Sequence, residues 1–81
     1  MIYVADYGSG GITPIDPATN TAGAFIPVAD GSYQIAFTPN AATAWAVNTG
    51  ANSVSPVDVA TATAGAPVTV GNAPDGIFIT P

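Results

Sequence analysis

The sequence predicts an all-β protein, and three observations lead to that prediction. The 81 residues contain two copies of one pattern, because a shift of 42 positions aligns residues 1–39 with residues 43–81 without a gap. Each copy contains four short runs rich in β-branched and aromatic residues, separated by Gly, Pro, Asn and Asp. No window shows an apolar period of 3.6 residues with helix caps, so we predict no helix longer than one turn.

The strands of the first repeat follow from its local composition. Pro14 cannot donate to a β-ladder, so its strand is predicted to lie at an edge or to contain a bulge. Gly23 and Pro27 weaken the third run, which we therefore place outermost in the sheet. The carboxylate of Asp16 is placed to accept backbone N–H bonds in the turn that follows it. We predict strands at Ile2–Asp6, Ile12–Asp16, Thr21–Val28 and Gln34–Thr38.

The second repeat is predicted in the same order, with Asp58 taking the turn position of Asp16. Its strands are expected at Thr43–Asn48, Ser53–Asp58, Thr63–Val70 and Ile77–Thr80. The run Gln34–Thr38 is the most apolar, and its alternation is lost, which is typical of a strand buried on both faces. We expect Trp45 on the neighbouring strand to be a core residue.

Four short strands in each period of about 42 residues are typical of a β-propeller blade. The sequence therefore predicts four-stranded antiparallel blades and a single unit of two blades, repeat 1 over residues 1–42 and repeat 2 over residues 43–81. The inner strands are predicted at residues 34–38 and 77–80. Because two blades do not close a ring, we expect homo-oligomerisation to complete it.

At this level the residues resemble a known family, the YVTN β-propeller repeat. The run Tyr3–Ser9 (Y-V-A-D-Y-G-S) and the later Ile15–Thr21 (I-D-P-A-T-N-T) carry the resemblance, together with Gln34–Asn40, which is similar to that repeat's inner strand and its Pro-Asp-Gly turn. The sequence departs from the family at Trp45, at Ala41 and in lacking basic residues. The resemblance implies an extracellular or cell-surface protein, whereas the residues themselves leave the compartment undetermined.

The composition excludes several classes of function. The formal net charge is −5, all five ionisable side chains that carry it are aspartates, and Lys, Arg, His and Cys are absent. Nucleic acids and anionic membranes need cationic side chains, so neither is an expected partner, and no run is long enough to insert in a membrane. Without His or Lys no base activates a Ser or Thr nucleophile. We therefore expect no enzyme, no cofactor and neither catalytic nor metal-ligating residues.

A binding role is the alternative that the loops leave open. The residues expected at the channel mouth are Tyr7, Asp30, Tyr33, Asn72 and Asp75. The tyrosines are able to stack on a sugar or peptide, and Asp30 and Asp75, multiplied by ring symmetry, would form an acidic rim for a hard cation such as Ca²⁺. Solvated loop residues are the simpler interpretation.

The two ends of the sequence predict self-assembly. The strand at residues 77–80 has no following hairpin partner, and Ile2–Asp6 lacks the inner strand that should precede it. We expect the assembly strand, Ile77, Phe78, Ile79 and Thr80, to complete the first blade of a neighbouring copy. The expected products are a trimer with six blades or a tetramer with eight, with a filament as the minor outcome. The predicted function is thus that of a self-assembling structural unit.

Overall fold

A computed structural model describes residues 1–80 of the chain and consists almost entirely of β-structure. The prediction of an all-β fold without a helix longer than one turn is confirmed, because the only helical segment in residues 1–80 is a 3₁₀ turn at Thr49–Ala51. None of the helical structure in that range is long and apolar enough to cross a membrane. The strands are β1 Ile2–Asp6, β2 Gly11–Asp16, β3 Thr21–Ala22, β4 Ile26–Pro27, β5 Ser32–Phe37, β6 Thr43–Asn48, β7 Ser53–Asp58, β8 Thr63–Ala64 and β9 Val68–Thr69.

The strands form two antiparallel sheets, and the second contains the last strand of repeat 1, β5, together with the strands of repeat 2. In sheet 1, β2 pairs with β1 on one side and with β3 and β4 on the other. In sheet 2, β6 lies between β5 and β7, and β8 and β9 both pair with β7. The register repeats with the sequence, since Tyr3 lies opposite Pro14 and Trp45 opposite Pro56. The two sheets are therefore copies of one arrangement, except that sheet 1 has no strand equivalent to β5.

The outer strand is broken in both sheets, which corrects the continuous strands predicted at Thr21–Val28 and Thr63–Val70. In each sheet the break lies opposite a proline of the neighbouring strand, Pro14 in β2 and Pro56 in β7. The N–H of Gly23 donates to the carbonyl of Pro14 over 2.8 Å, so Pro14 points its backbone polar groups at the outer strand and has no N–H to offer there. Gly65 and Pro56 make the same contact at 2.7 Å. The outermost placement of the third run is confirmed, because β3 and β4 pair only with β2 among residues 1–80. The edge position or bulge predicted at Pro14 is wrong, since Pro14 lies in β2, which is paired on both sides, and is in continuous register with β1.

Left-handed backbone recurs at equivalent positions of the two repeats. A positive φ is accessible to glycine and costs about 1–2 kcal/mol for another residue. A positive φ at the same position of both repeats therefore indicates that the two turns are equivalent. The pairs are Gly10 and Asn52, Asn20 and Ala62, and Gly31 and Ala73. The loops as well as the strands thus follow the 42-residue period.

The core lies between the two sheets, which pack face to face. Ile12 and Ile26 of sheet 1 contact Ala44, Ala46 and Val57 of sheet 2, and all five are at most 3% exposed. Within sheet 2 the loop before β5 lies against the turn after β6, and an added Cβ at Gly31 would lie 2.5 Å from the backbone nitrogen of Gly50. The small side chains of Ala44 and Ala46 form the sheet 2 side of the core between the sheets.

Three further predictions about strands and burial need correction. The predicted strand Gln34–Thr38 begins earlier, at Ser32, and ends at Phe37. Trp45 is half-buried rather than core, because Ala44 and Ala46 point into the core and Trp45 points to the opposite face of β6. Within residues 1–80, the predicted strand Ile77–Thr80 pairs with no other strand and is not β-structure in the single chain.

Candidate functional site

The inner edge of sheet 1 is open. In sheet 2 the backbone of β6 is paired on both sides, with β5 from Ser32↔Asn48 to Phe37↔Ala44 and with β7. In sheet 1 the equivalent strand, β1, pairs with β2 alone among residues 1–80. Such an edge presents unpaired N–H and C=O groups and is a template for the addition of another strand. The open edge of β1 is thus the first element of the site.

The segment from Gly76 to Thr80 is the second element. Ile77 and Ile79 are half-buried, whereas Phe78, at 86%, is the most exposed large apolar side chain in residues 1–80. Its start is held to sheet 2, because Thr49 Oγ1 donates to the carbonyl of Pro74 over 2.6 Å and Ala73 N–H donates to Asn52 Oδ1 over 2.8 Å. The repeat makes Gly76–Ile79 equivalent to Gln34–Phe37, the paired part of β5.

Each sheet also has an apolar face that is turned away from the other sheet, called here its uncovered face. On sheet 2 this face is partly exposed, because Val47 on it is fully buried and Trp45 and Val54 are half-buried. Alternation along the strands directs Tyr3 and Ile12 of sheet 1 toward sheet 2, and Ile2 and Val4 away from it. Ile2 and Val4 are accordingly 51% and 40% exposed. Sheet 2 directs Ala44, Ala46 and Val57 to the core, and its other face carries Trp45, Val54 and Val68, of which Val68 is 51% exposed.

The uncovered faces are related to the covered ones by the repeat. Trp45, Val54 and Val68 are the equivalents of Tyr3, Ile12 and Ile26, which form the side of sheet 1 that packs on sheet 2. In the other direction, Ile2, Val4 and Ile15 are the equivalents of Ala44, Ala46 and Val57. The uncovered face of sheet 2 is therefore equivalent to the packed face of sheet 1, and the uncovered face of sheet 1 is equivalent to the packed face of sheet 2.

A buried polar cluster near one end of sheet 2 was missed by the sequence reasoning. The Nδ2 group of the fully buried Asn48 donates to Ser55 Oγ over 2.9 Å and to Ser53 Oγ over 3.2 Å, and Ser32 Oγ donates to Asn48 Oδ1 over 3.1 Å. A signal for it existed, because the repeat keeps polar side chains at these strand positions: Asp6 with Asn48, and Thr13 with Ser55. In sheet 1, Thr13 Oγ1 donates to the carboxylate of Asp6.

The turn role predicted for Asp16 and Asp58 is confirmed. Asp16 Oδ1 accepts a hydrogen bond from Ala18 N–H at 2.9 Å. Asp58 Oδ1 accepts one from Ala60 N–H at 3.0 Å and one from Thr61 N–H at 3.3 Å. Both carboxylates therefore close turns between strands.

Of the predicted loop residues, the structure brings the two tyrosines together. The rings of Tyr7 and Tyr33 meet edge to face, with centroids 6.4 Å apart and planes at 82°, and each residue is 57% exposed. Asp30 is exposed beside them, and its carbonyl lies against Gly50. These three residues form an exposed rim at the loop end of the sheets.

The other two predicted residues lie in the equivalent loop of the second repeat. Asn72 and Asp75 are both exposed, on either side of the anchored residues Ala73 and Pro74. Within residues 1–80 no three carboxylates converge to hold a metal ion. In a single chain the aspartates are thus spread along the loops.

Comparison with known proteins found a structural similarity but no family. No protein-family model matches the chain, and no curated protein matches it. The chain is similar to a part of the hydrazine synthase of Kuenenia stuttgartiensis, with a TM-score of 0.92 and 26% sequence identity over 98% of this chain. The chain spans 22% of the length of that hydrazine synthase chain.

This similarity corrects one expectation from the sequence. We expected the chain not to be an enzyme, since it lacks His, Lys and Cys. That expectation is contradicted by the similarity, because the similar chain belongs to an enzyme. An arrangement of strands like this one therefore occurs inside an enzyme subunit, where residues outside the matched segment make up most of the chain.

Proposed function

We propose that this polypeptide is a two-blade β-propeller unit of the YVTN type that assembles with copies of itself. Repeat 1 (residues 1–42) and repeat 2 (residues 43–81) together supply two blades, with β5 of repeat 1 in the second blade, and residues 76–80 of one copy pair with the open edge of β1 in the next. The observation that carries the proposal is that β1 has an open edge where β6 carries β5, and that the segment equivalent to β5 is partly exposed and pairs with no strand among residues 1–80.

The repeat supplies a register for this pairing. In sheet 2, Ile35 lies opposite Ala46 and Ala36 opposite Trp45. Ile77 and Phe78 are the equivalents of Ile35 and Ala36, and Val4 and Tyr3 are the equivalents of Ala46 and Trp45. The same register therefore places Ile77 opposite Val4, and Phe78 opposite Tyr3. Each added backbone hydrogen bond contributes roughly 0.5–1.5 kcal/mol, and burying an apolar side chain contributes about 1.5–3 kcal/mol.

The uncovered faces support the same head-to-tail contact. Stacking Trp45, Val54 and Val68 of one copy on Ile2, Val4 and Ile15 of another repeats the internal packing of the two sheets. The exchange of Ala44 and Ala46 for the larger Ile2 and Val4 is partly offset by the smaller Val54 and Val68 in place of Ile12 and Ile26. The contact therefore preserves the apolar character of the internal interface and much of its volume.

Head-to-tail contacts of this kind close into a ring or continue as a filament. Propellers of about four to eight blades are usual, so units of two blades give a trimer with six blades or a tetramer with eight. The ring is the expected main product, because the sheet-to-sheet rotation that is repeated in every contact is already fixed inside each chain. A filament built through the same strand exchange is the minor product.

The test is deletion of residues 76–81 followed by light scattering. The full chain is expected to show three or four times the 7.9 kDa mass of the polypeptide, and the truncated chain to show smaller species. Asn72→Ala, an exposed loop substitution ahead of the strand, is the control and should leave the mass unchanged. A truncated chain that keeps the full oligomer mass would contradict the proposal.

A second candidate function is ligand binding at the loop rim, favoured by the exposed pair Tyr7 and Tyr33. Two aromatic side chains held together at a loop surface are a common element of carbohydrate and peptide sites. A glycan array on the assembled protein tests it, with Tyr33→Ala as the matched variant. Binding that is equal for both proteins, or absent from both, would rule out this pair as a site.

A further inference from the structure

An apolar cavity opens between the two sheets next to the open edge of β1. Its volume is about 400 Å³, and it is lined by Met1, Tyr3, Phe37, Ala41 and Val59. The rings of Tyr3 and Phe37 meet edge to face beside it, with centroids 5.2 Å apart. A dry cavity of about 150 Å³ already holds a benzene ring, so this one has room for an aromatic side chain.

The repeat register brings one side chain to this place. Directly opposed residues of an antiparallel pair point to the same face of the sheet. Phe78, opposite Tyr3, would therefore share the face that Tyr3 turns toward sheet 2 and Phe37. Ile77 and Ile79 would point to the other face, beside Ile2 and Val4.

We propose that the ring of Phe78 from a second copy of this chain fills the cavity between Tyr3 and Phe37 and thereby fixes the register of the added strand. This inference rests on the strand exchange proposed above and identifies its anchor. The exposure of Phe78 in the single chain and the aromatic lining of the cavity are the two independent observations behind it. The equivalent residue of β5 is Ala36, so this anchor belongs to the contact between copies and not to the internal one.

The anchor is tested by Phe78→Ala in the full chain, because the residue is exposed in the single chain and its loss should leave the fold intact. Removing one buried aromatic side chain is expected to weaken assembly about 10- to 100-fold, measured as the shift of the mass-against-concentration curve in light scattering. Tyr33→Ala removes another exposed aromatic ring, at the loop rim, and should shift the curve by less than about threefold.

The register is tested separately with cysteines, which the chain otherwise lacks. A mixture of Val4→Cys chains and Ile77→Cys chains should form a disulfide between copies on mild oxidation, since directly opposed Cα atoms lie within the usual disulfide range of about 4.4–6.8 Å. The pair Ile2→Cys and Ile77→Cys is two residues out of register, at about 7–8 Å, and should cross-link poorly.

The two measurements separate the possible failures. Cross-linking of the Val4 and Ile77 variants together with a weakened Phe78→Ala assembly supports the inference. The same cross-linking with unweakened Phe78→Ala assembly overturns the anchor and leaves the strand exchange standing. Absence of both the cross-link and the oligomer overturns the strand exchange and the anchor together.

Discussion

The amide of Asn48 donates to the hydroxyl of Ser55 over 2.9 Å, at the position where the hydroxyl of Thr13 donates to the carboxylate of Asp6 in the other repeat. The two repeats therefore keep a side-chain hydrogen bond at the same position, with different donor and acceptor groups. Asn48 is fully buried and bonds three serines, whereas Asp6 is partly exposed and sits on the face of sheet 1 that is uncovered in the single chain. An amide carries no charge to desolvate, which suits the buried copy, while a carboxylate remains hydrated in the other.

Replacing Asn48 by Ala should therefore cost much more stability than replacing Asp6 by Ala. The first change leaves the hydroxyls of Ser32, Ser53 and Ser55 without their shared partner in a buried site, and we expect a loss of about 2–3 kcal/mol in the free energy of unfolding. The second removes one partly exposed hydrogen bond and should cost about 1 kcal/mol or less. Urea unfolding of both variants measures the difference, and equal losses would contradict the distinction between the two sites.

The turn carboxylates give a smaller effect of the same kind. Asp16→Ala and Asp58→Ala each remove an acceptor of backbone N–H bonds, and each should lower the free energy of unfolding by on the order of 1 kcal/mol. Asp30→Ala, an exposed loop carboxylate, is the control and should be neutral. If both turn variants unfold like the parent chain in urea, the carboxylates do not stabilise these turns.

Alanines in left-handed backbone should be replaceable with a gain. Ala62 has φ of 55°, the same value as its equivalent Asn20, and Asn tolerates this region better than Ala. Ala62→Asn is expected to raise the free energy of unfolding by roughly 0.5–1 kcal/mol. Ala60→Asn in the same turn is the matched control, since Ala60 does not have a positive φ. Equal melting temperatures for the two variants would contradict backbone strain at Ala62.

Stability should depend little on salt. The chain has no Lys, Arg or His, so its side chains form no ion pairs for salt to screen. The melting temperature is expected to stay nearly constant between low and physiological ionic strength. A large fall in the melting temperature over that interval, measured by circular dichroism, would contradict this prediction. Asp75→Asn is a useful comparison because it removes one unit of negative charge from an exposed loop.

The repeat and the turn chemistry were readable from the sequence because each is a local property. Asp16 marks a turn through its own side chain, and the 42-residue shift placed Asp58 in the equivalent turn without further information. The strand positions followed from β-branched composition in the same way. Predicting these features required no information about which strands and sheets pack against each other.

The features that sequence reasoning missed depend on contacts between elements. The break after Ala22 lies opposite Pro14, which has no N–H to donate to the outer strand, so predicting it required the sheet order. The half-buried state of Trp45 depends on which face of β6 meets sheet 1. Of the residues predicted at the channel mouth, Tyr7 and Tyr33 lie in contact, whereas Asn72 and Asp75 lie in the equivalent loop of the second repeat.

The constant spacing between equivalent positions also bears on how such a gene changes. Because the two repeats align without insertion, an in-frame duplication of one period adds a whole sheet wherever its boundaries fall, and the new sheet meets its neighbours through faces that already fit. Unequal recombination between the copies removes a sheet just as cleanly. The number of sheets in a repeat protein of this kind therefore changes in single mutational steps, and each added sheet inherits the residues of the one it copies.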